Sequence, residues 1–380
     1  MPLVPERLLL GPGPSPVEPR VTRAMTAPAL SHLDPAMMTM LDAIRDRLGR
    51  VFRAGEGAFT FAVSGTGTSG METAVANLVR PGTRAVVLVT GYFGERLAQV
   101  LERYGATVAR ADVEWGRACA PEDLESFLRA MPAPPNVVAM VHGETSTGVL
   151  NPVGDLCRIA AAAGAMTIVD CVTTLGAHPV DAGGWGADAV YSCTQKGLGA
   201  PSGLSPITFS RRAVESAAAR SAQPGDARGS FYFDLNLLSD YWLNRKYHHT
   251  ISAPLVYALD EALEIVLEEG LDARSARHRT NHLALVEALA PMGMELLPPP
   301  AERLWSLNAV KIPDTVEDAP TRKQLLDRFG IEIGAGLGPL TGKIWRVGLM
   351  GFGSSLDNVQ TLTAALGALL SPQIGRRVYQ

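Results

Sequence analysis

Short apolar runs, each closed by a glycine or a polar turn, alternate through the first half of this chain with longer amphipathic stretches. Residues 85–90, 137–142, 166–170 and 189–193 have the length of buried strands. Residues 96–104 and 153–163 instead repeat their apolar positions every 3.6 residues, as one face of a helix does. Strand and helix in turn build βαβ units, so the chain is expected to be α/β, with a mostly parallel sheet covered by helices on both faces. Gly11-Pro12-Gly13-Pro14-Ser15-Pro16 cannot continue a helix, because proline lacks the donor and fixes φ, and residues 1–20 should run as an extended arm. After a long helical pattern at 251–267 the pattern changes. Strands are expected at 294–300, 307–312 and 345–350, interleaved with helices at 322–329 and 357–370. With 380 residues the chain exceeds one small core, which suggests a large domain over 21–268 and a smaller α+β domain over 269–380.

Charge and cysteines exclude several classes of function. The formal net charge of -4 lacks the basic excess that nucleic acid or an anionic membrane surface requires. No run approaches the 18 or so apolar residues of a membrane helix, and the first residues lack a basic segment leading into an apolar one. Cys119, Cys157, Cys171 and Cys193 show no CxxC spacing, so neither zinc nor a disulfide framework is expected, and a cytoplasmic location follows.

Gly65-Thr66-Gly67-Thr68-Ser69-Gly70 follows an apolar run at 58–63 and opens a helix expected to start near Met71. Amides and hydroxyls at such a helix start suit a phosphate dianion. A dinucleotide site would need an acid at the end of the next strand, and none appears before Glu95; a Walker loop would need Gly-Lys-Ser/Thr, which is missing. A glycine-rich turn without ligand is the competing reading.

The chain uses 29 arginines and five lysines, and Lys196 is the only lysine before Lys246. It stands at a strand end, followed by Gly197-Leu198-Gly199-Ala200-Pro201-Ser202-Gly203, where ligands of open α/β sheets bind. A primary amine there can form a Schiff base with an aldehyde cofactor and later move a proton as general acid and base. Asp170 ends the strand Thr167-Ile168-Val169-Asp170; a buried acid needs a positive partner, and a protonated pyridine nitrogen is one. Taken alone, Asp170 reads better as a helix N-cap or a loop carboxylate. Arg346 interrupts the apolar run 344–350, where a guanidinium calls for an anion such as a substrate carboxylate; a salt bridge to a core acid competes.

Together these residues resemble the fold type I, class V aminotransferases that depend on pyridoxal 5'-phosphate, and within them the alanine–glyoxylate and serine–glyoxylate group. The resemblance runs nearly end to end, from Leu9-Leu10-Gly11-Pro12-Gly13-Pro14-Ser15 through His32-Leu33-Asp34-Pro35 and Ser64-Gly65-Thr66-Gly67 to Trp345-Arg346-Val347-Gly348-Leu349-Met350-Gly351. It implies a seven-stranded, mostly parallel sheet in the large domain. It places the phosphate on Thr66, Gly67, Thr68 and Gln195, the pyridine nitrogen on Asp170, the Schiff base on Lys196 and the substrate carboxylate on Arg346. His142-Gly143-Glu144-Thr145-Ser146-Thr147 resembles the segment whose hydroxyl meets the phenolic oxygen, giving that role to Thr145; Glu144 reads as a structural acid. Val172 should pack on one ring face and Phe93 should stack on the other, although a phenylalanine is a weaker platform than tryptophan and a core aromatic is the alternative. Tyr247 and Thr250, in Tyr247-His248-His249-Thr250, would reach the phosphate of a neighbouring subunit, implying a homodimer with shared sites.

The function implied is ping-pong transfer of an amino group from alanine or serine to glyoxylate or pyruvate. Ureidoglycine and 2-aminoethylphosphonate remain open as other donors. A desulfurase would carry a histidine before the lysine and a cysteine on a late loop, whereas Gln195 precedes Lys196 and no cysteine follows Cys193. A binding protein that had lost its chemistry would lack the lysine or the acid. No metal is expected, since His278 and His282 lack a third ligand.

Overall fold

The computed structural model describes residues 4–221 and 230–374; residues 1–3 of the expected arm and 375–380 of the expected C-terminal domain lie outside them. A seven-stranded sheet is formed by β1 (Phe59–Gly65), β2 (Arg84–Val89), β3 (Thr107–Asp112), β4 (Val137–Val141), β5 (Met166–Asp170), β6 (Ala189–Tyr191) and β7 (Gly203–Phe209). Its spatial order is β1-β7-β6-β5-β4-β2-β3, and β7 alone runs antiparallel to its neighbours. Apart from the edge strand β3, which is largely exposed, the strands are buried on both faces, as βαβ crossovers demand. Because all but β7 point the same way, their carboxyl ends share one edge, and the residues just past β1, β5 and β6 are Thr66, Cys171 and Ser192.

The long helices Pro35–Phe52 and Ala253–Glu269 pack on each other and contribute Leu41, Ile44, Leu48, Val256, Leu259 and Leu263 to the larger apolar core. A second cluster joins Leu10, Leu285, Leu289, Trp345, Val347 and Leu362 around a three-stranded antiparallel sheet of β8 (Leu307–Lys311), β9 (Gly334–Ala335) and β10 (Ile344–Gly348). The arm is extended and its Leu8–Leu9 strand pairs with Ile331–Glu332, so the chain's start is stitched to its last third.

Two expectations need correction. Residues 294–300 do not form a strand and contribute only the bridge between Leu296 and Val310, because Pro298, Pro299 and Pro300 remove the donors that a ladder needs. The helix expected near Met71 begins at Gly67 with Thr66 as its N-cap, so the glycine motif supplies the first helical turn rather than a preceding loop. Gly70 is required there: a Cβ at this position would sit 2.2 Å from Ser205 Oγ on β7.

Candidate active site

At the carboxyl edge a cavity of about 200 Å³ is lined by Thr66, Gly67, Thr68, Phe93, Thr145, Asp170, Val172, Gln195 and Lys196, which brings most of the anticipated residues into one place. Met71, Arg96, Val141, Gly143 and Thr173 line it as well.

Lys196 is 8% exposed, and its Nζ lies 5.9 Å from the centroid of the Phe93 ring. Burial pushes its ammonium below the usual lysine range, Arg346 acts in the same direction, and Asp170 opposes them. The loop that carries it is held from three sides. Ser15 donates its amide to the Gln195 carbonyl at 2.9 Å and its hydroxyl to the Lys196 carbonyl at 2.9 Å. The arm lies so close that a Cβ at Gly13 would come within 3.0 Å of Lys196 Cε. From the helix Leu271–Leu289, buried Arg274 donates to the carbonyls of Gly176 and Gly197, both at 2.9 Å, and pairs with Glu269 at 2.6 Å. Neither Ser15 nor Arg274 was anticipated, since only the folded chain brings them to the loop.

Asp170 is 3% exposed. Its Oδ1 accepts from the Val172 amide and its Oδ2 from the Tyr191 hydroxyl, both at 2.8 Å. Burial pushes the carboxyl above its ordinary range, while the two hydrogen bonds and the charges of Lys196 and Arg96 pull it down.

At the other end of the cavity the helix Gly67–Leu78 presents its N-terminus. The first amides of a helix have no partner within it, and the Thr66 side chain makes no capping bond. Gly67 is the only residue that fits, because a Cβ there would lie 2.8 Å from Val172 Cγ2. Gln195 carries a buried Oε1 with no hydrogen-bond partner among the described residues.

Glu144 is fully buried, and its charge acts on Lys196 and Arg346 without a hydrogen bond to either. Its Oε2 accepts the amides of Phe93 and Gly94 at 3.1 and 3.2 Å, capping the helix Tyr92–Arg103, and its Oε1 accepts the Ser146 amide and hydroxyl at 3.0 and 2.6 Å. That arrangement agrees with a structural acid and fixes Phe93 at the cavity wall.

Arg346, on β10, lies outside the cavity lining but is 8% exposed, donates Nε to the Ala335 carbonyl at 2.6 Å, and has no carboxylate of the described residues within salt-bridge distance. Burial lowers its pKa. Tyr247 is 64% exposed and Thr250 is exposed; neither reaches this chain's own cavity. The Tyr247 ring stands 5.2 Å from that of His32, and His249, between Tyr247 and Thr250 in sequence, bonds Ser64 Oγ at 2.9 Å, just before the glycine motif.

His278 and His282 are consumed by packing: the first bonds the Arg274 carbonyl at 2.8 Å and accepts from the Gly351 amide at 3.0 Å, and the second meets Asn308 Oδ1 at 2.6 Å. Among the described residues no group of three or more His, Cys, Asp or Glu could hold a metal ion, and no helix is long and apolar enough to cross a membrane.

The family model described as aminotransferase class-V matches residues 14–349. An (S)-ureidoglycine–glyoxylate transaminase of Bacillus subtilis is 37% identical over 96% of this chain and 91% of its own length. An alanine–glyoxylate aminotransferase of Drosophila melanogaster is 34% identical over 98% and 94%. The crystal structure of an alanine–glyoxylate aminotransferase from Nostoc sp. superposes with a TM-score of 0.93 at 43% identity, covering 97% of each chain.

Proposed function

Because the chain belongs to the class V aminotransferases, enzymes that use pyridoxal 5'-phosphate, we propose that it moves the amino group of a small L-amino acid, alanine or serine, to glyoxylate or pyruvate in two half-reactions. The donor set of the cavity fits the cofactor: a helix N-terminus without a side-chain cap, with Thr66 and Thr68, for a phosphate dianion, a Gln195 amide oxygen without a partner among the described residues, a carboxylate for the ring nitrogen and a buried amine for the aldehyde. Thr66, Gly67, Thr68 and Gln195 hold the phosphate in this reading. Asp170 faces the ring nitrogen, Val172 and Phe93 take the two ring faces, and Thr145 meets the phenolic oxygen. When bound, the cofactor supplies an electron sink for the pair left at the substrate Cα.

The chain's residues do the rest. Lys196, whose pKa burial lowers, keeps a larger fraction of its amine unprotonated at neutral pH than a solvated lysine would, and that free amine is the nucleophile. The same Nζ would hold and move the proton at the substrate Cα. Arg346 receives the α-carboxylate in a bidentate fork. The observation that carries this reading is that guanidinium: almost buried, without a carboxylate partner among the described residues, and close enough for its charge to act on Lys196. A buried cation left so is costly unless an anion arrives.

Tyr247 and Thr250 project outward, and this supports a homodimer in which they complete the phosphate site of the other subunit. The Bacillus subtilis relative supports a second reading, with ureidoglycine as donor. The test is to load the enzyme, add alanine, serine or ureidoglycine singly, and follow both loss of the cofactor's absorbance near the visible edge and keto-acid release; glyoxylate or pyruvate should then restore it. Borohydride followed by peptide mapping should find the cofactor mass on Lys196. Absence of that adduct, or activity retained in Lys196→Ala, refutes the reading; a response to ureidoglycine alone selects the second.

A further inference from the structure

We propose that Tyr191 is a positioning residue for the amino transfer: its buried hydroxyl holds Asp170 ionised and aimed at the cofactor's ring nitrogen. The inference deepens the proposed function and rests on its assignment of Asp170.

The geometry begins in the sheet. Asp170 ends β5 and stands directly opposite Tyr191, the last residue of β6, in the parallel register of the two strands. Facing positions of neighbouring strands share a side, so both side chains rise together at the sheet's carboxyl edge. Tyr191 is completely buried, and its Oη donates to Asp170 Oδ2 at 2.8 Å. Burial pushes the phenol well above its ordinary pKa, so it acts as a neutral donor at any working pH.

The need for such a donor follows from the position of Asp170. A carboxyl that is 3% exposed tends to take up a proton, because the anion has lost its hydration. A protonated acid would compete with a pyridinium instead of stabilising it. Val172 N supports Oδ1 at 2.8 Å, and the tyrosine supports Oδ2. With both oxygens anchored, the carboxylate plane cannot turn, and the remaining lone pairs face the cavity that Asp170 lines. The rest of the tyrosine is fixed by packing: a Cβ at Gly70, on the phosphate-end helix, would come within 3.1 Å of Tyr191 Cβ. Tyr191 thus packs at its Cβ against the helix that begins at Gly67, while its hydroxyl meets Asp170.

Removing only the hydroxyl, in Tyr191→Phe, separates this role from packing. Cofactor dissociation constants are measured on the apoprotein by equilibrium dialysis and fluorescence, with pyridoxal 5'-phosphate and with an analogue whose ring nitrogen is replaced by carbon. Hydrogen bonds to charged groups imply that the variant binds the natural cofactor roughly ten-fold to a hundred-fold more weakly. Binding of the analogue, which gives Asp170 no positive partner, should change less than about two-fold on the same basis. The acid limb of cofactor binding should move to higher pH, because a group that lowers the Asp170 pKa has gone. Replacement by p-aminophenylalanine, a weaker donor of similar shape, should restore part of the affinity, and it serves as the test if the phenylalanine variant does not fold. Equal losses for both cofactors, or no loss for the natural one, overturn the role of Tyr191. If the unaltered protein binds both cofactors equally, the assignment of Asp170 fails and the inference falls with it.

Discussion

Replacing Glu144 by glutamine tests whether this buried acid belongs to the architecture or to the chemistry. The carboxylate accepts four donors, the amides of Phe93, Gly94 and Ser146 and the Ser146 hydroxyl, and offers none in return. A glutamine must turn an NH2 group toward one side of that set. Facing Phe93 and Gly94, it opposes two fixed amides; facing Ser146, it opposes one amide and a hydroxyl that can rotate to accept. The second orientation costs less and leaves a single buried N–H without a partner, worth about 1–3 kcal/mol. No relief comes from backbone movement, since a Cβ at Gly91 would already be 2.5 Å from Glu144 Cγ, a sign of how tightly the chain wraps this acid. The assay is urea unfolding of the apoprotein followed by tryptophan fluorescence, run beside steady-state kinetics. Glu144→Gln should lower the urea midpoint, and Glu144→Ala, which strands all four donors, should lower it further; kcat of the folded variants should change little. An unchanged midpoint with a collapse of kcat would refute the structural assignment.

Three further outcomes are expected. Burial holds His142 and His278 down to about 3 and His249 to about 4, so in the native state they stay neutral while the unfolded chain takes up protons near pH 6.5; their contribution is present above that pH and is lost as pH falls, by up to about 1.4 kcal/mol per pH unit for each. A urea midpoint that stays flat from pH 7.5 to 4.5 would contradict this. Gly67→Ala places a methyl 2.8 Å from Val172 Cγ2, and should weaken cofactor binding by roughly ten-fold and also lower the stability of the apoprotein by the about 1–3 kcal/mol of an overpacked contact, as dialysis and urea unfolding together would show. Arg346→Gln removes a charge that lowers the Lys196 pKa, so the rate of cofactor attachment to the apoprotein, followed by absorbance, should need a higher pH than in the unaltered chain; a shift to lower pH would refute the coupling.

Much of the site was legible in the linear chain because it lies where local pattern is strongest. Asp170 ends one apolar run and Lys196 follows another, both of a length that marks them as strands, and the glycine motif at 65–70 announces a helix start; all depend on contacts within a few residues. The strand expected at 294–300 is absent for a reason the sequence also contains, three consecutive prolines. What the fold alone decided depends on distant partners. Tyr191 carries no mark of its own until strand register sets it opposite Asp170, 21 positions away. Ser15 meets the lysine loop across 181 positions, Arg274 across 77, and Glu144 caps a helix that begins some fifty residues earlier. Hydrophobic period and turn chemistry determine which segments become strands and helices. Which buried donor faces which buried acceptor is settled only when those elements pack, because an unpaired polar group inside the core is costly enough to select the arrangement that satisfies it.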